Sequence, residues 1–569
     1  MLVTVVLWLF AGLAAWGYAL IFFRSRSDEH DFTSLAPESV AVRLYFGFLL
    51  VSFALLATAL VTNVSWWLGL AIAVPGIAFA ARNLSNVRSR PDTGDPIFPQ
   101  WTYLAVGLLI LAFFVSTAEV RFFDTGLYHQ QMAKWLSEYG LVPGITLLQR
   151  RFGWTSSWFA AAATLNHGFL RGREAAIIGG LPFALMIVSS AAIAWRSFKV
   201  AGVLPGIRGL TWSLFCGLLI VISVAWSIES SLSPDVVIWL LPIMTALLLS
   251  EPSGNQSALV GLALLLSLLV FTVKLSAAPV VAYCGLLWLW QFIRVRPGRK
   301  ILLIHLGLAA AVVLALMAAN VRTSGCPFYP SPIGCVSGES SVGAAFAAGV
   351  GKEVREFAAY AAKENSHMVL LVTAALAGTL LGLLRLWNHP FVRHGLAVSW
   401  CGIFFILVSA PNPRFGLGYL LLPTTISLAI LLQWMLRRWP TLLSISRRSL
   451  PWAAAAVPLL FLVFSIHAMN SPVSLLLPAR MPSADGDPIH IVTQKFNFNI
   501  RTTLSLTTAK DGNVLVVVPQ WPHQCWDAAL PCTGEVWQSI ELKDPTKGLR
   551  GGFRWSSGAL QPVNAAVGH

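Results

Sequence analysis

Residues 2–23, LVTVVLWLFAGLAAWGYALIFF, run for 22 positions without a charged side chain. A helix of about 20 apolar residues crosses the hydrocarbon core of a bilayer. No basic segment precedes the run and no small-residue cleavage site ends it, so it reads as a retained span and not as a removed signal. Similar runs recur at 43–62, 66–82, 101–118, 175–195, 210–227, 235–250, 257–273, 277–293, 301–320, 367–386, 395–410, 417–436 and 451–468. Of 569 residues 56% are hydrophobic and 11% charged, whereas about a quarter of an average soluble protein is charged. That composition excludes a soluble globular fold. The expected fold is an all-α polytopic membrane protein with about 14 transmembrane helices.

Charge gives the expected orientation. One set of alternate loops, including Arg24, Arg26, Arg43, Arg82, Arg294, Lys300, Arg437 and Arg438, holds 19 basic and 7 acidic residues; the other holds 20 and 17. Cytoplasmic loops carry excess Lys and Arg, so the first set is expected inside and both termini outside, in the exoplasmic or periplasmic space. The formal net charge of +15 is then a signature of membrane orientation, and no nucleic-acid partner is needed to explain it. Cysteines give a second, independent signal. Cys216, Cys284 and Cys401 fall in apolar runs, while Cys326 with Cys335 and Cys525 with Cys532 form close pairs in segments assigned to the outside, where disulfides form.

The chain divides into N-terminal transmembrane helices at 1–100, a transmembrane core at 101–469 with outer loops 119–174 and 321–367, and an exoplasmic C-terminal domain at 470–569. The last is about 100 residues, enough for a small domain. Its stretch Asn513 to Pro519, NVLVVVP, reads as a strand, giving a small α/β unit.

The first outer loop concentrates the candidate chemistry: Asp124 opens it, and Tyr128, Met132, Trp135 and Tyr139 follow at helical spacing until Pro143 and Gly144. This predicts an amphipathic helix lying on the membrane surface, with Asp124 at its start beside the lipid headgroups. The same aspartate reads equally well as an ordinary helix N-cap.

An acidic residue at the head of an outer loop, followed by an amphipathic helix parallel to the membrane, resembles the GT-C superfamily of polyprenyl-phosphate-sugar-dependent membrane glycosyltransferases. The strings Asp124-Thr125-Gly126-Leu127-Tyr128-His129, Val142-Pro143-Gly144, Trp154-Thr155-Ser156-Ser157-Trp158-Phe159, Cys326-Pro327-Phe328-Tyr329-Pro330-Ser331 and Gln524-Cys525-Trp526-Asp527-Ala528-Ala529-Leu530-Pro531-Cys532 also resemble a group of poorly characterised bacterial multi-pass membrane proteins. Here three apolar runs precede the one that leads into the loop and Asp124 is solitary, whereas GT-C catalytic loops usually follow the first span and many carry paired acids. The resemblance implies a GT-C-like fold, an inverting transfer of sugar from a polyprenyl-phosphate donor to a glycan or lipid acceptor, and a site on the outer face of a bacterial cytoplasmic (inner) membrane. It implies Asp124 as the general base or as a carboxylate that positions the acceptor or a divalent metal ion (Mg or Mn); the spacing proves no ligand set.

Cations near the outer interface are candidates for holding the donor phosphate: Arg414 in a Pro-Asn-Pro-Arg turn, Lys274 between two apolar runs, Arg150 and Arg151 after the surface helix, and more weakly Arg322. For Lys274 snorkelling to the interface is the plain alternative, and for Arg150 and Arg151 contact with bulk anionic lipid. Tyr128, His129, Trp154 and Trp158 are the candidate substrate pocket, although an isolated histidine is more often structural. Glu229 and Asp235 flank a short outer turn that can face Asp124. His167 and His305 receive no role. An O-antigen-type polysaccharide polymerase or ligase, or a lipid or glycan transporter (flippase), would share this architecture. The orientation is directly testable: cysteines placed at Ser89 and Ser444 should be protected from an impermeant thiol reagent, and those at Ser340 and Ser557 should react. The opposite pattern would invert the topology.

Overall fold

The computed structural model describes residues 2–23, 36–88, 97–117, 120, 122–197, 205–252, 255–294, 299–363, 367–439, 477–478, 480–481, 489–492, 499–502, 506–511, 514–519, 524–534 and 540–556. The expected span at 451–468 and several loop cations, Arg24 and Arg26 among them, lie outside the described residues. The helices are α1 (Leu2–Phe22), α2 (Pro37–Thr58), α3 (Trp66–Arg88), α4 (Ile97–Ser116), α5 (Gln130–Glu138), α6 (Ser157–Ala163), α7 (Glu174–Trp195), α8 (Ile207–Ala225), α9 (Asp235–Leu249), α10 (Gln256–Phe271), α11 (Ala278–Arg294), α12 (Arg299–Ser324), α13 (Gly343–Lys363), α14 (His367–Leu386), α15 (Pro390–Ser409) and α16 (Pro413–Arg438).

Among the described residues nine helices are long and apolar enough to cross a membrane: α1, α2, α7, α8, the stretch Leu275–Arg294 that contains α11, α12, α14, α15 and α16. Three shorter apolar helices accompany them, Ala105–Phe114 within α4, α9 and α10. This is the build of a multi-pass membrane protein, with nine full-length candidates among the described residues where about 14 spans were expected. Two of the three short helices have a physical reason for stopping. Asp235 begins α9, and α10 ends three residues before Lys274, so both halt where charge enters the bundle.

The core is built around α9, in which every residue is buried. A helix apolar on all sides needs neighbours on all sides, and α9 packs against α2, α10, α15 and α16. Pro242 in α9 and Pro423 in α16 sit inside these helices, a placement tolerated where adjacent helices satisfy the freed backbone groups. The bundle has two distinguishable ends. At one, Arg43 of α2 pairs with Glu251 after α9 at 3.3 Å, Arg208 of α8 donates to the Ser250 carbonyl at 3.3 Å, and Gln433 of α16 donates to the Pro205 carbonyl at 3.0 Å. At the other, loops and the C-terminal segment form a cap.

That cap differs from the expectation in two ways. The helix after Asp124 does not lie with a polar face open to its surroundings: Gln130 through Ser137 are all buried, Gln131 and Lys134 included, because residues 524–528 cover it. Among the described residues of 470–569 there is also no α-helix. The segment forms three antiparallel hairpins, β1 (Ile489–Val492) with β2 (Asn499–Thr502), β3 (Leu506–Asp511) with β4 (Val514–Pro519), and β5 (Ile540–Leu542) with β6 (Phe553–Trp555), plus a 3-10 helix at Pro545–Gly551. The strand expected at Asn513–Pro519 is β4. Hairpin β5–β6 leans on the membrane-domain loops: Phe553 N donates to the Pro143 carbonyl at 2.9 Å, Trp555 N to the Glu339 carbonyl at 3.1 Å, and Trp555 Nε1 to the Ser341 carbonyl at 3.1 Å. Both cysteine pairs in the cap are joined as disulfides, Cys326–Cys335 and Cys525–Cys532.

The α9–α16 crossing is close because Gly418 faces the Trp239 backbone; a Cβ there would lie 2.1 Å from the Trp239 carbonyl oxygen. Gly418→Val should therefore force the helices apart and lower the thermal midpoint in detergent, with a cost of roughly 1–3 kcal/mol for overpacking. An unchanged midpoint would mean that α16 shifts freely along α9.

Candidate functional site

Four charged side chains from distant parts of the chain meet at the capped end of the bundle. Arg414, in the first turn of α16, donates from Nε to Asp235 Oδ2 at 2.6 Å and from Nη2 to Asp124 Oδ2 at 2.7 Å. Lys274, in the turn between α10 and α11, donates from Nζ to the other oxygen of Asp235. Two carboxylates and two cations thus form a linear network, Lys274–Asp235–Arg414–Asp124, whose formal charge is zero. It is sealed at Asp235 and partly open on either side of it. The Asp235 side chain is 1% exposed, whereas Arg414, Asp124 and Lys274 keep 25%, 22% and 24% of their side-chain surface.

Local sequence explains each position. Pro413 starts α16 and the Asn412 side chain accepts from Arg414 N at 2.9 Å, so the guanidinium is held on the first turn. The Arg414 carbonyl in turn accepts from Trp239 Nε1 of α9 at 2.7 Å. Lys274 is braced by the Trp154–Phe159 string: Ser157 N donates to the Thr272 carbonyl at 3.0 Å, Ser156 Oγ to the Val273 carbonyl at 2.8 Å, and Ser157 Oγ meets Thr272 Oγ1 at 2.8 Å. Asp124 occupies the N-cap position of a π turn at Thr125–His129, but its side chain makes no capping hydrogen bond. The carboxylate is directed to Arg414, and the N-cap reading is set aside.

Aromatic rings line the network. The Arg414 guanidinium stands 4.5 Å from the Phe122 ring centre and 5.9 Å from that of Phe415, and Lys274 Nζ stands 4.8 Å from the Phe415 ring. Tyr128 packs edge-on against Trp154 with centres 5.7 Å apart, and His129 lies between Phe122, Tyr128 and Phe159.

The charges here act on one another. Burial drives the Asp124 carboxyl upward, but the Arg414 guanidinium beside it outweighs that and holds it below the ordinary carboxylate value. Burial also draws Lys274 below the ordinary ammonium value, against the pull of Asp235. His129 is fully buried, and desolvation lowers its imidazole to about 3, so it is neutral; its Nδ1 lies 3.4 Å from Thr125 Oγ1 and its Nε2 has no hydrogen-bond partner among the described residues. Burial raises Glu229 to about 8.

The remaining candidates fall elsewhere. Arg150 is paired with Glu353 of α13, and its carbonyl accepts from the Tyr329 hydroxyl at 2.9 Å. Arg151 is close enough to Tyr128 to act on its hydroxyl. Trp158 is a core residue, 1% exposed, whose Nε1 donates to the Leu232 carbonyl at 3.0 Å, so it has no free face for a substrate. Trp154, half-buried against Tyr128, keeps one. Arg322 is turned to the Leu141 carbonyl at 2.6 Å and His167 contacts the Val64 carbonyl at 3.1 Å. His305 packs against Gly261 of α10. Of the flanking acids, Asp235 joins the network and Glu229 does not; one Glu229 oxygen has no side-chain or backbone partner. As for a divalent metal, no group of three His, Cys, Asp or Glu side chains gathers among the described residues. Asp124 and Asp235 both face cations in this arrangement.

The fold and this network together define a multi-pass membrane protein with a charge cluster of mixed sign at one end of its helices. The chain belongs to the family described as a domain of unknown function, DUF8201, which matches residues 1–366. That match takes in Asp124, Asp235 and Lys274, while Arg414 lies beyond it. No curated protein matches the chain, and no solved structure does.

Two buried groups at the capped end, Glu229 and His129, give opposite pH dependences. Glu229 ionises near 4.5 when unfolded and near 8 when folded, so folding takes up a proton between those values and stability falls as pH rises through that window. His129 ionises near 6.5 unfolded and near 3 folded, so stability falls as pH drops below about 6.5. In thermal melts Glu229→Gln should reduce the decline between pH 5 and 8, and His129→Phe the decline below pH 6. Unaltered profiles would show that neither group is buried in the form stated.

Proposed function

We propose that this chain is an inverting membrane glycosyltransferase of GT-C type, which moves a sugar from a polyprenyl-phosphate donor to a hydroxyl of a glycan or lipid acceptor. The observation that carries the reading is the Asp124–Arg414–Asp235–Lys274 network at the ends of the spans, where a membrane-borne phosphate and a polar acceptor can meet. Asp235 holds Arg414 and Lys274 side by side, and an arriving lipid phosphate takes the guanidinium position now filled by Asp124. The two cations then carry one net positive charge against the phosphate and stabilise it as it leaves.

The exchange also arms the base. While paired with Arg414, Asp124 is held at a low pKa and is a weak proton acceptor. Once Arg414 turns to phosphate, the burial that pushes this carboxyl upward is no longer opposed to the same degree, and its basicity rises. The acceptor oxygen then bonds to the anomeric carbon, the bond from that carbon to the phosphate oxygen breaks, the hydroxyl proton passes to Asp124, and configuration inverts. Trp154 and Tyr128 offer stacking surface for the sugar, and Phe122 and Phe415 an apolar wall for the lipid.

Orientation follows from the charge asymmetry and the disulfides. Both disulfides lie in the cap, and the loops at the opposite end hold Arg43, Arg208, Arg294, Lys300, Arg437 and Arg438. We place the cap on the exoplasmic face of a bacterial cytoplasmic membrane, with α3 and the three short helices as further crossings. The charges gather at helix ends and not along a path through the bilayer, which favours surface chemistry over a flippase.

The test is Asp124→Asn in a stably inserted protein, read as glycolipid and surface-glycan output by mass spectrometry. Loss of a general base should reduce turnover by ~10²–10⁴-fold with membrane abundance unchanged. Arg414→Gln should weaken donor binding as well as turnover. Wild-type output from Asp124→Asn would end this mechanism.

A further inference from the structure

The disulfide-closed loop at 525–532 is far from Asp124 in sequence and adjacent to it in space. Gln524 Nε2 donates to the Phe123 carbonyl at 2.8 Å, and Trp526 N donates to the Gly126 carbonyl at 2.9 Å. These carbonyls bracket Asp124. The Trp526 indole fills the space beside Gly126, where a Cβ would lie 2.4 Å from the ring, so residue 126 must be glycine while the indole is in place. Trp526 is 2% exposed and has φ +42°. A bulky residue at positive φ is a strained conformation that persists only when its surroundings impose it. The surroundings here are polar and specific. Gln131 Nε2 donates to the Trp526 and Ala528 carbonyls at 2.9 and 3.1 Å, and Lys134 Nζ to the Asp527 and Ala528 carbonyls at 3.0 and 2.8 Å and to Asp527 Oδ1 at 3.3 Å. The other Asp527 oxygen faces Arg480 at 3.5 Å.

We infer that the Gln524–Cys532 loop is a positioning clamp, which fixes the backbone on both sides of Asp124 so that its carboxylate stays aligned with Arg414. Gln524 and Trp526 are its positioning residues. Among the described residues their side chains make no hydrogen bond to Arg414 or to the other charges of the network, and they act through the Phe123 and Gly126 carbonyls. The consequence for turnover rests on the role given to Asp124 above; the clamp itself does not.

Hydrogen exchange of the full-length protein in nanodiscs separates the two. Trp526→Ala should raise exchange of amides 122–129 by tenfold or more, leaving α9 and α16 protected as in the wild type. Trp526→Phe, which keeps a ring against Gly126, should restore most of that protection. Arg554→Ala, which disturbs only the β5–β6 hairpin and its partners Glu339 and Glu541, should leave 122–129 unchanged. If Trp526→Ala fails to insert, Gln524→Ala, which removes one hydrogen bond, should give a smaller rise in the same segment. In a sugar-transfer assay Trp526→Ala should lower kcat with little change in donor KM. Unchanged exchange at 122–129, or a rise spread evenly over the whole cap, would overturn the clamp. Raised local exchange with Asp124→Asn fully active would keep the clamp and remove the glycosyltransferase reading.

Discussion

A carboxylate with 1% of its side chain exposed cannot stand alone in an apolar bundle, because desolvating an unpaired charge costs several kcal/mol. Asp235 is such a group, and the capped end is arranged around its needs. It takes one cation on each oxygen, Lys274 from the α10–α11 turn and Arg414 from α16. The ends of four helices are thereby drawn to one point. Arg414 then has an Nη2 to spare, and that donor reaches Asp124 from a loop 290 residues away in sequence. Removing one partner of a buried pair costs about 3–5 kcal/mol, so the inner half of the network is a fixed structural element and only its exposed edge is free to exchange.

The hydrogen bonds of the rest of the cap hold that point in place. Ser156 and Ser157 hydrogen-bond the backbone at 272–273 and so support Lys274. The Thr155 hydroxyl reaches Asn320 Oδ1, whose amide donates to the Pro327 carbonyl at 2.9 Å, joining this brace to the Cys326–Cys335 loop. Tyr329, from the same loop, is buried against Gly153 and donates to Arg150. The C-terminal loop closes the arrangement from above through Gln524 and Trp526. Each of these strings is short and loop-forming, and each supplies backbone-directed hydrogen bonds, which fix position without adding charge.

Much of this was legible in the sequence. Apolar run length gave the helices, and close cysteine spacing gave both disulfides. Arg414, Lys274 and Asp124 stood out because a charge beside an apolar run has to be explained. Asp235 was visible with Glu229 as an acid flanking a short outer turn that can face Asp124, but its role as the shared partner of two cations was not, since pairing across 39 and 179 residues leaves no local trace. The helix after Asp124 was read as a surface helix because its pattern is amphipathic. Its polar face is real, and it is satisfied by carbonyls from residues 526–528, a contact that periodicity cannot report. Trp158 was placed in the pocket as an aromatic beside the loop, and its indole N–H is instead committed to Leu232 inside the core.

The sealed member of the network lies inside it, and the members on either side are about one-quarter exposed, so an anion approaching from the capped end meets Lys274 and the Arg414–Asp124 contact before Asp235. A phosphate competes there with a carboxylate of the same charge sign for the same N–H group, and the exchange is close to balanced because one charge-assisted hydrogen bond replaces another. What shifts the balance is the second cation. Lys274 is held next to Arg414 by Asp235, and a phosphate has three oxygens to present where Asp124 has a single one in contact. A dianionic leaving group gains more from that pair than the monoanionic donor does, because attraction grows with the charge that develops on the phosphate. In the proposed reaction the same buried aspartate that holds the helix ends together is thus what makes the site favour the products of bond cleavage over the bound donor.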